Sequence, residues 1–198
     1  MRTMKTGVVL LILASSFLAQ SATGQSTPAL TQSTPATSSS AEMQRLFDED
    51  QAARQTPPTS KEKGVEIYRQ DAERRITARK LITDNALHTA QDFENAAFIF
   101  QHSDTADDYL LAHTLAMIAV AKGHASALWI ATATLDRYLN KIGQPQIYGT
   151  QYQRKPETPW TQEPYNRTLI SDALRQQLGV PDLAAQEKQM EKYKLQIK

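Results

Sequence analysis

The chain has 198 residues, enough for one domain with appendages. Its 22 lysines and arginines nearly balance its 21 acidic residues, and this net charge of +1 argues against nucleic-acid binding through a broad basic surface. No cysteine is present, which excludes disulfides, thiolate zinc sites and a thiol nucleophile.

The N-terminus has the three-part pattern of a bacterial export signal. Arg2 and Lys5 form a basic start, residues 7–18 are mostly apolar, and small residues follow up to Gly24. The apolar run is shorter than the roughly 20 residues that a membrane-spanning helix needs, so a cleaved signal peptide is favoured over an uncleaved anchor. We therefore expect residues 1–24 to be removed on export to the periplasm or the extracellular space, and the mature chain to have no transmembrane span.

The segment after the signal has the composition of a disordered linker. Residues 25–41 consist mainly of serine, threonine, proline and glutamine, and they carry too little apolar surface to offset the entropy of ordering. The remaining residues, 42–198, form a single predicted domain.

Two helices are predicted at the start of this domain. The first covers residues 41–55 and ends before Pro57 and Pro58, because proline cannot continue a helix. The second begins after a Ser60 cap and runs to about residue 83. Its apolar side chains recur at helical spacing on one face, and we expect its charged remainder to be solvated. That apolar stripe consists of Val65, Tyr68, Ala72 and Ile76.

Three further helices are predicted in the middle of the chain. The first covers residues 90–102 and opens with a variant capping box at Thr89 and Asp92. The second covers residues 106–122 and is apolar nearly all round, which is typical of a central helix packed on several sides. A third helix over residues 125–142 follows Gly123, and the two form a predicted helical hairpin.

The C-terminal part is predicted to be irregular and then helical. Prolines at 145, 156, 159 and 164 forbid a long helix over residues 144–166, and an irregular stretch of this length is uncommon inside a domain unless it is functional. Two short helices close the chain, one from about residue 171 and one after Pro181. The fold class is therefore all-α, an irregular bundle of helical hairpins.

The histidines are the first candidate site. His102, His113 and His124 are eleven residues apart, a spacing that would align them on one face of an unbroken helix. They are candidates for a metal site, although metal pairs on a helix usually stand three or four residues apart. The alternative is a pair of helix-end histidines and one core histidine, and this alternative is favoured.

The second candidate site is the segment of residues 136–151, DRYLNKIGQPQIYGTQ. Asp136 and Arg137 point in different directions from their helix, so each can reach a different part of the following loop or an anionic ligand. The polar loop offers donors and acceptors that suit a sugar or a peptide backbone. The same side chains also suit a loop that only fastens itself to the bundle. The candidate binding residues are Gln144, Gln146, Tyr148, Thr150 and Gln151.

This segment also carries a resemblance. With the blocks at residues 96–102, 112–113 and 123–124, it resembles a family of bacterial proteins known only as a domain of unknown function. The resemblance covers about residues 43–183 and implies no activity, substrate or cofactor. Residues 93–139 are also similar to tetratricopeptide-type helical hairpins, without a second copy at a fixed period.

These patterns favour a non-catalytic binding or interaction module whose partner is an envelope protein or a polar small ligand. The sequence contains no nucleophile elbow, paired-histidine zinc motif, phosphate loop or dinucleotide fingerprint, and we expect no cofactor. The alternative is a hydrolase in which Asp136 or His113 acts as acid or base and Arg137 stabilises developing negative charge.

Overall fold

The structure is a computed structural model that describes residues 38–155 and 158–195. Within these ranges the chain is all-helical, with two isolated β-bridges and no sheet, which confirms the predicted fold class. The predicted signal peptide and most of the predicted linker lie outside the described residues. The helices are α1 (Ser38–Ala52), α2 (Lys61–Thr83), α3 (Ala90–Phe100), α4 (Ala106–Ala121), α5 (Ala127–Lys141), α6 (Asp172–Gln177) and α7 (Leu183–Leu195).

None of the described helices combines the length and the apolar character that crossing a membrane requires. Helix α1 begins at Ser38, so the last four residues of the predicted linker, 38–41, are helical. Met43 and Leu46 of α1 are buried in the core, so this apolar face packs α1 onto the bundle.

The core is the layer of α3, α4 and α5, with α1 packed against α3. Thr89 and Asp92 form the predicted capping box, and Thr105 caps α4 through its side chain. Alanines dominate the buried face of this layer and allow the helix backbones to approach closely. These are Ala96, Ala97, Ala112, Ala116, Ala119, Ala127 and Ala131.

Helix α4 differs from the expectation that it is packed on all sides. Leu110 and Met117 are exposed, whereas Ala112, Leu115 and Ala116 are buried. The reason is that α4 packs mainly against α3 and α5, which leaves one side of the helix uncovered. The apolar composition of α4 therefore predicted a core helix correctly but did not show which side of that helix is exposed.

The predicted apolar stripe of α2 lies largely outside, and charged residues share the buried side of the helix with Ala78. Val65 is 62% exposed and Ile76 is 71% exposed, whereas Asp71 and Arg74 are buried. The prediction of a solvated charged face is therefore wrong for Arg74. Ion pairs and hydrogen bonds hold this helix to the bundle, among them a bond from Arg75 Nη1 to the carbonyl of His102 at 2.9 Å.

The C-terminal part folds back over the irregular segment. Gln146 bridges to Tyr165 and Gln153 bridges to Thr161, so the irregular residues are held in place by short backbone pairings. Trp160 stacks on Tyr193 of α7 with ring centroids 4.9 Å apart. The segment that follows α5 is therefore ordered by hydrogen bonds and aromatic contacts.

Candidate functional site

Asp136 lies on the buried face of α5 and anchors the loop that follows. Its Oδ1 accepts hydrogen bonds from the amides of Ile147 at 2.8 Å and Tyr148 at 3.1 Å. Its Oδ2 accepts from the amide of Thr150 at 3.0 Å and from the Thr150 hydroxyl at 2.8 Å. Burial raises the pKa of Asp136, and these four bonds oppose that rise. The geometry favours an anchoring role for this carboxylate.

The buried glutamines of the loop are also occupied by internal hydrogen bonds. Gln146 donates to the carbonyls of Gln151, at 2.9 Å, and of Gln162, and it accepts from the Gln151 amide at 3.0 Å. The side chain of Gln151 donates to the carbonyl of Ala133 in α5 at 3.2 Å. These contacts are those of a loop that fastens itself to the bundle. Of the other predicted binding residues, Gln144 is exposed, and Tyr148 and Thr150 are half-buried.

Gly149 lies where the loop meets α7. Its φ of +80° is in the left-handed region, and a Cβ added there would be 2.0 Å from Oε1 of Gln186. Gln186 donates to the carbonyl of Tyr148 at 2.9 Å, and Gln162 donates to the carbonyl of Gly149 at 2.7 Å. The sequence gives no local signal for Gln162 or Gln186, because their partners are far away along the chain.

Arg137 follows Asp136 in sequence and has a different environment. It is 6% exposed, and its Nε is buried without a hydrogen-bond partner. The Tyr109 hydroxyl favours its charged form, yet burial dominates and lowers the pKa of Arg137 to about 10. Arg137 forms no ion pair with an acidic residue in the described part of the chain. It is therefore a buried cation whose charge is not neutralised locally.

His102 lies just past α3 and also has an unpaired nitrogen. Its buried Nε2 has no hydrogen-bond partner and stands 3.6 Å from Oδ2 of Asp50. Burial, reinforced by the positive charges of Arg54 and Arg137, holds the pKa of His102 well below its usual range. The imidazole is therefore neutral around pH 7.

Asp50 and Asp71 belong to the same region and were not predicted from the sequence. Arg54 links them, with Nη1 3.0 Å from Oδ1 of Asp50 and Nη2 2.8 Å from Oδ2 of Asp71. Arg74 pairs with Asp71, and its Nε is 3.9 Å from Asp50. We call this set the buried basic cluster. It consists of Asp50, Arg54, Asp71, Arg74 and His102, and of Arg137, whose charge acts on His102.

Burial raises the pKa of Asp50 to about 7, with Arg54 as the strongest opposing influence. A signal for this residue was present in the sequence. Asp50 continues the helical spacing of Met43 and Leu46, so a carboxylate occupies the buried face of α1. A charge at a core position needs a partner from another part of the chain, and the sequence does not show which one.

The other two predicted histidines have separate partners. His113 Nδ1 donates to the carbonyl of Ala131 at 2.9 Å, and His124 Nε2 pairs with Glu94 at 2.9 Å. Within residues 38–155 and 158–195, no group of three or more histidine or acidic side chains could hold a metal ion. The three histidines thus lie in three separate local environments.

No protein-family model, curated protein or solved structure matches this chain. A functional site in this chain is therefore inferred from the environments of its individual residues. A buried polar group without a partner, or a titratable group with a shifted pKa, marks a candidate. The buried basic cluster contains both, in Arg137 and Asp50 respectively.

Proposed function

We propose that this chain is an exported, non-catalytic binding module that takes a small polar ligand at the buried basic cluster. The observation that carries the proposal is a buried arginine without an acidic partner. Arg54 and Arg74 pair with the two aspartates of the cluster, whereas Arg137 forms no ion pair among the described residues and its buried Nε has no hydrogen-bond partner. Burial of an uncompensated cation destabilises a fold, so an apolar residue would suit a purely structural position better than Arg137. A buried charge of this kind supports a binding role.

Catalysis at the predicted loop is disfavoured, because the buried polar groups of the loop already have partners. Asp136 accepts four hydrogen bonds, and the amides of Gln146 and Gln151 donate to main-chain carbonyls. A carboxylate occupied in this way is poorly placed to exchange a proton with a substrate. The same contacts make the loop a rigid wall of the domain.

The proposal is tested by native mass spectrometry on the full chain secreted by its host. The protein is incubated with a small-molecule extract of the cell envelope, desalted and measured before and after denaturation. We expect one small molecule per chain that is released only on denaturation and is chemically unchanged after prolonged incubation. Absence of any retained small molecule would contradict the proposal, and so would its conversion to a product.

Export is the second part of the proposal and rests on residues 1–24. The intact mass of the chain recovered from the periplasm or the medium tests it directly. We expect a mass that corresponds to cleavage close to Gly24. A chain that is retained in the cytoplasm at its full mass would contradict export. The binding site is tested separately, by the ligand experiment above.

One observation favours a hydrolase as a second candidate. Asp50, with a pKa raised to about 7, lies 3.6 Å from the neutral His102, and an acid or base that titrates near neutral pH suits proton transfer. In this second candidate function, Asp50 is the acid or base, in place of the Asp136 or His113 proposed from the sequence. Incubation of the retained ligand with wild type and with Asp50→Asn distinguishes the two candidates. Turnover that Asp50→Asn abolishes would establish the hydrolase.

A further inference from the structure

We infer that the outer face of α2 is a homodimer interface, at which α2 of one chain pairs antiparallel with α2 of a second copy. Three apolar side chains of this face are exposed, namely Val65, Tyr68 and Ile76. Together with Ala72 they recur at steps of three or four residues, which is the spacing of the contact line between two packed helices. The bundle covers the other side of α2, where charged residues and Ala78 are buried. The interface goes beyond the proposed ligand binding and does not depend on it.

A depression on this face has the form of the hole that receives a side chain when two helices pair. Its volume is about 380 Å³, and four of its lining residues stand at positions i, i+3, i+4 and i+7 of α2. In paired helices, four such residues form the hole into which one side chain of the facing helix inserts. Lys80 and Asp108 complete the lining, and Asp108 of α4 pairs there with Arg79. The four residues of the hole are Ala72, Arg75, Ile76 and Arg79.

Val65 is the side chain that enters this depression in an antiparallel pair. A twofold axis at the level of Gln70 and Asp71 places residues side by side when they are equally far from it on the two helices. Val65 of one chain then stands level with Ile76 of the second copy, within the depression. The contact repeats on the other side of the axis, because the two copies are identical. Ala72 lies near the crossing point, and its small side chain allows the two helices to approach closely.

The charged residues along one edge of the apolar stripe are complementary in the same arrangement. Those exposed on this edge are Glu62, Arg69, Glu73 and Lys80. In an antiparallel pair with a twofold axis, this edge of one helix meets the same edge of the other. Glu62 then faces Lys80 of the second copy, and Arg69 faces Glu73. A parallel pair would instead place Lys80 beside Arg79 of the second copy, so the charges favour the antiparallel orientation.

The ion pairs within α2 leave these charges accessible to a second copy. Arg69 pairs with Glu66 and Glu73, and Lys80 pairs with Asp84. All five side chains have roughly half or more of their surface exposed. Exposed ion pairs contribute little to stability, so these pairs can rearrange when a second helix brings an opposite charge.

A second copy is the occupant that this face fits, because one helix carries both halves of each contact. It has the inserting Val65 and the depression, and it has both members of each charge pair. An interface formed by the same surface on two identical chains needs this self-complementarity. One pair of helices is a small interface, so we expect a dissociation constant in the micromolar range.

Sedimentation velocity of the full chain secreted by its host tests the inference, at concentrations from the low to the high micromolar range. We expect wild type to pass from one chain to two over this range. Val65→Lys should weaken dimerisation at least about 30-fold, because it removes a buried apolar contact at two symmetric places. Met117→Lys, at an exposed apolar residue of α4, is the matched control and should dimerise like wild type. Val65 is exposed in the single chain, so Val65→Lys should keep the melting temperature of wild type at concentrations where wild type is monomeric.

Charge reversal tests the orientation of the two helices. Glu62→Lys and Lys80→Glu each place like charges opposite each other at two symmetric positions. We expect each variant alone to dimerise about 5- to 30-fold more weakly than wild type. An equimolar mixture of the two variants should regain the wild-type affinity, because the lysine introduced at position 62 of one chain faces the glutamate introduced at position 80 of the other.

Three results would overturn the inference. A wild-type chain that remains monomeric at high micromolar concentration would show that a second copy does not occupy this face, even if another protein does. A dimer that Val65→Lys leaves intact, or that Met117→Lys disrupts equally, would place the interface elsewhere. A mixture of the two charge variants that associates no better than either alone would exclude the antiparallel pair.

Discussion

Replacement of Asp136 by alanine is expected to release the loop from α5 and to destabilise the domain strongly. The change deletes four hydrogen bonds to one buried carboxylate and leaves three loop amides without an acceptor. Hydrogen bonds to charged groups contribute roughly 1.5–3 kcal/mol each, and their sum exceeds the net effect because burial of Asp136 offsets part of it. We expect a loss of about 4 kcal/mol in the free energy of unfolding. For a domain of this size, that loss lowers the melting temperature by about 8–16 °C.

Urea denaturation followed by tryptophan fluorescence measures this loss and its location. Trp160 stacks on Tyr193 beside the loop, so its emission should change before global unfolding in the variant. Asp107→Ala is the matched control, because Asp107 is exposed in the first turn of α4 and should contribute less than about 1 kcal/mol. An Asp136→Ala protein as stable as wild type would refute the anchoring role. Loss of ligand binding at unchanged stability would instead place Asp136 in the binding site.

Three further predictions concern stability measured by urea denaturation. Gly149→Ala should lower it by about 3 kcal/mol, because the new Cβ would meet a side-chain oxygen at 2.0 Å, whereas Gly143→Ala, with open space around a φ of +74°, should lower it by about 1 kcal/mol. Equal losses for Gly149→Ala and Gly143→Ala would show that the neighbouring side chain moves away from the new Cβ at position 149. Ile76→Lys should change stability by less than about 0.5 kcal/mol, and Ala78→Lys, two residues further on at a fully buried position, should lower it by about 3 kcal/mol. A larger loss of stability for Ile76→Lys than for Ala78→Lys would show that the buried face of α2 is the one predicted from the sequence, with Ile76 inside. The folded chain holds a proton on Asp50 up to a pKa of about 7, while the unfolded chain releases it near 3.8, so the stability of wild type falls as the pH rises between these values. Asp50→Asn lacks this titration, so between pH 5 and pH 7 its stability should rise by about 2 kcal/mol relative to wild type. A stability difference that does not vary with pH would contradict the raised pKa of Asp50.

The positions of helices could be predicted where capping residues or turns mark their ends in the local sequence. The cap at Thr89 and the turn at Gly123 marked the start of α3 and the end of α4 within a few residues. Capping depends on contacts three residues apart, so the sequence contains both partners. The place of α4 in the core also followed from its apolar composition, although that composition did not show that Leu110 and Met117 are exposed.

The candidate site was predicted in part. Asp136 and the loop glutamines were identified from their pattern, with fastening of the loop to the bundle as one of two interpretations. Arg137 was identified beside them, but its separate environment beneath Tyr109 was not. Partners such as Gln186 stand 38 residues from the carbonyl that they bond, and no local pattern encodes such a pair.

The sequence by itself determined that this protein is all-α, where its central helices begin and end, and that it has a balanced charge and no cysteine chemistry. Only the tertiary structure decided which side of each helix is inside. Periodicity assigned the apolar stripe of α2 to the core, yet Asp71 and Arg74 are buried and Ile76 is exposed. The physical reason is that a charged face can be buried when long-range partners neutralise it. Arg54 provides that partner for Asp71 at 2.8 Å, whereas in the described chain no acidic residue does so for Arg137.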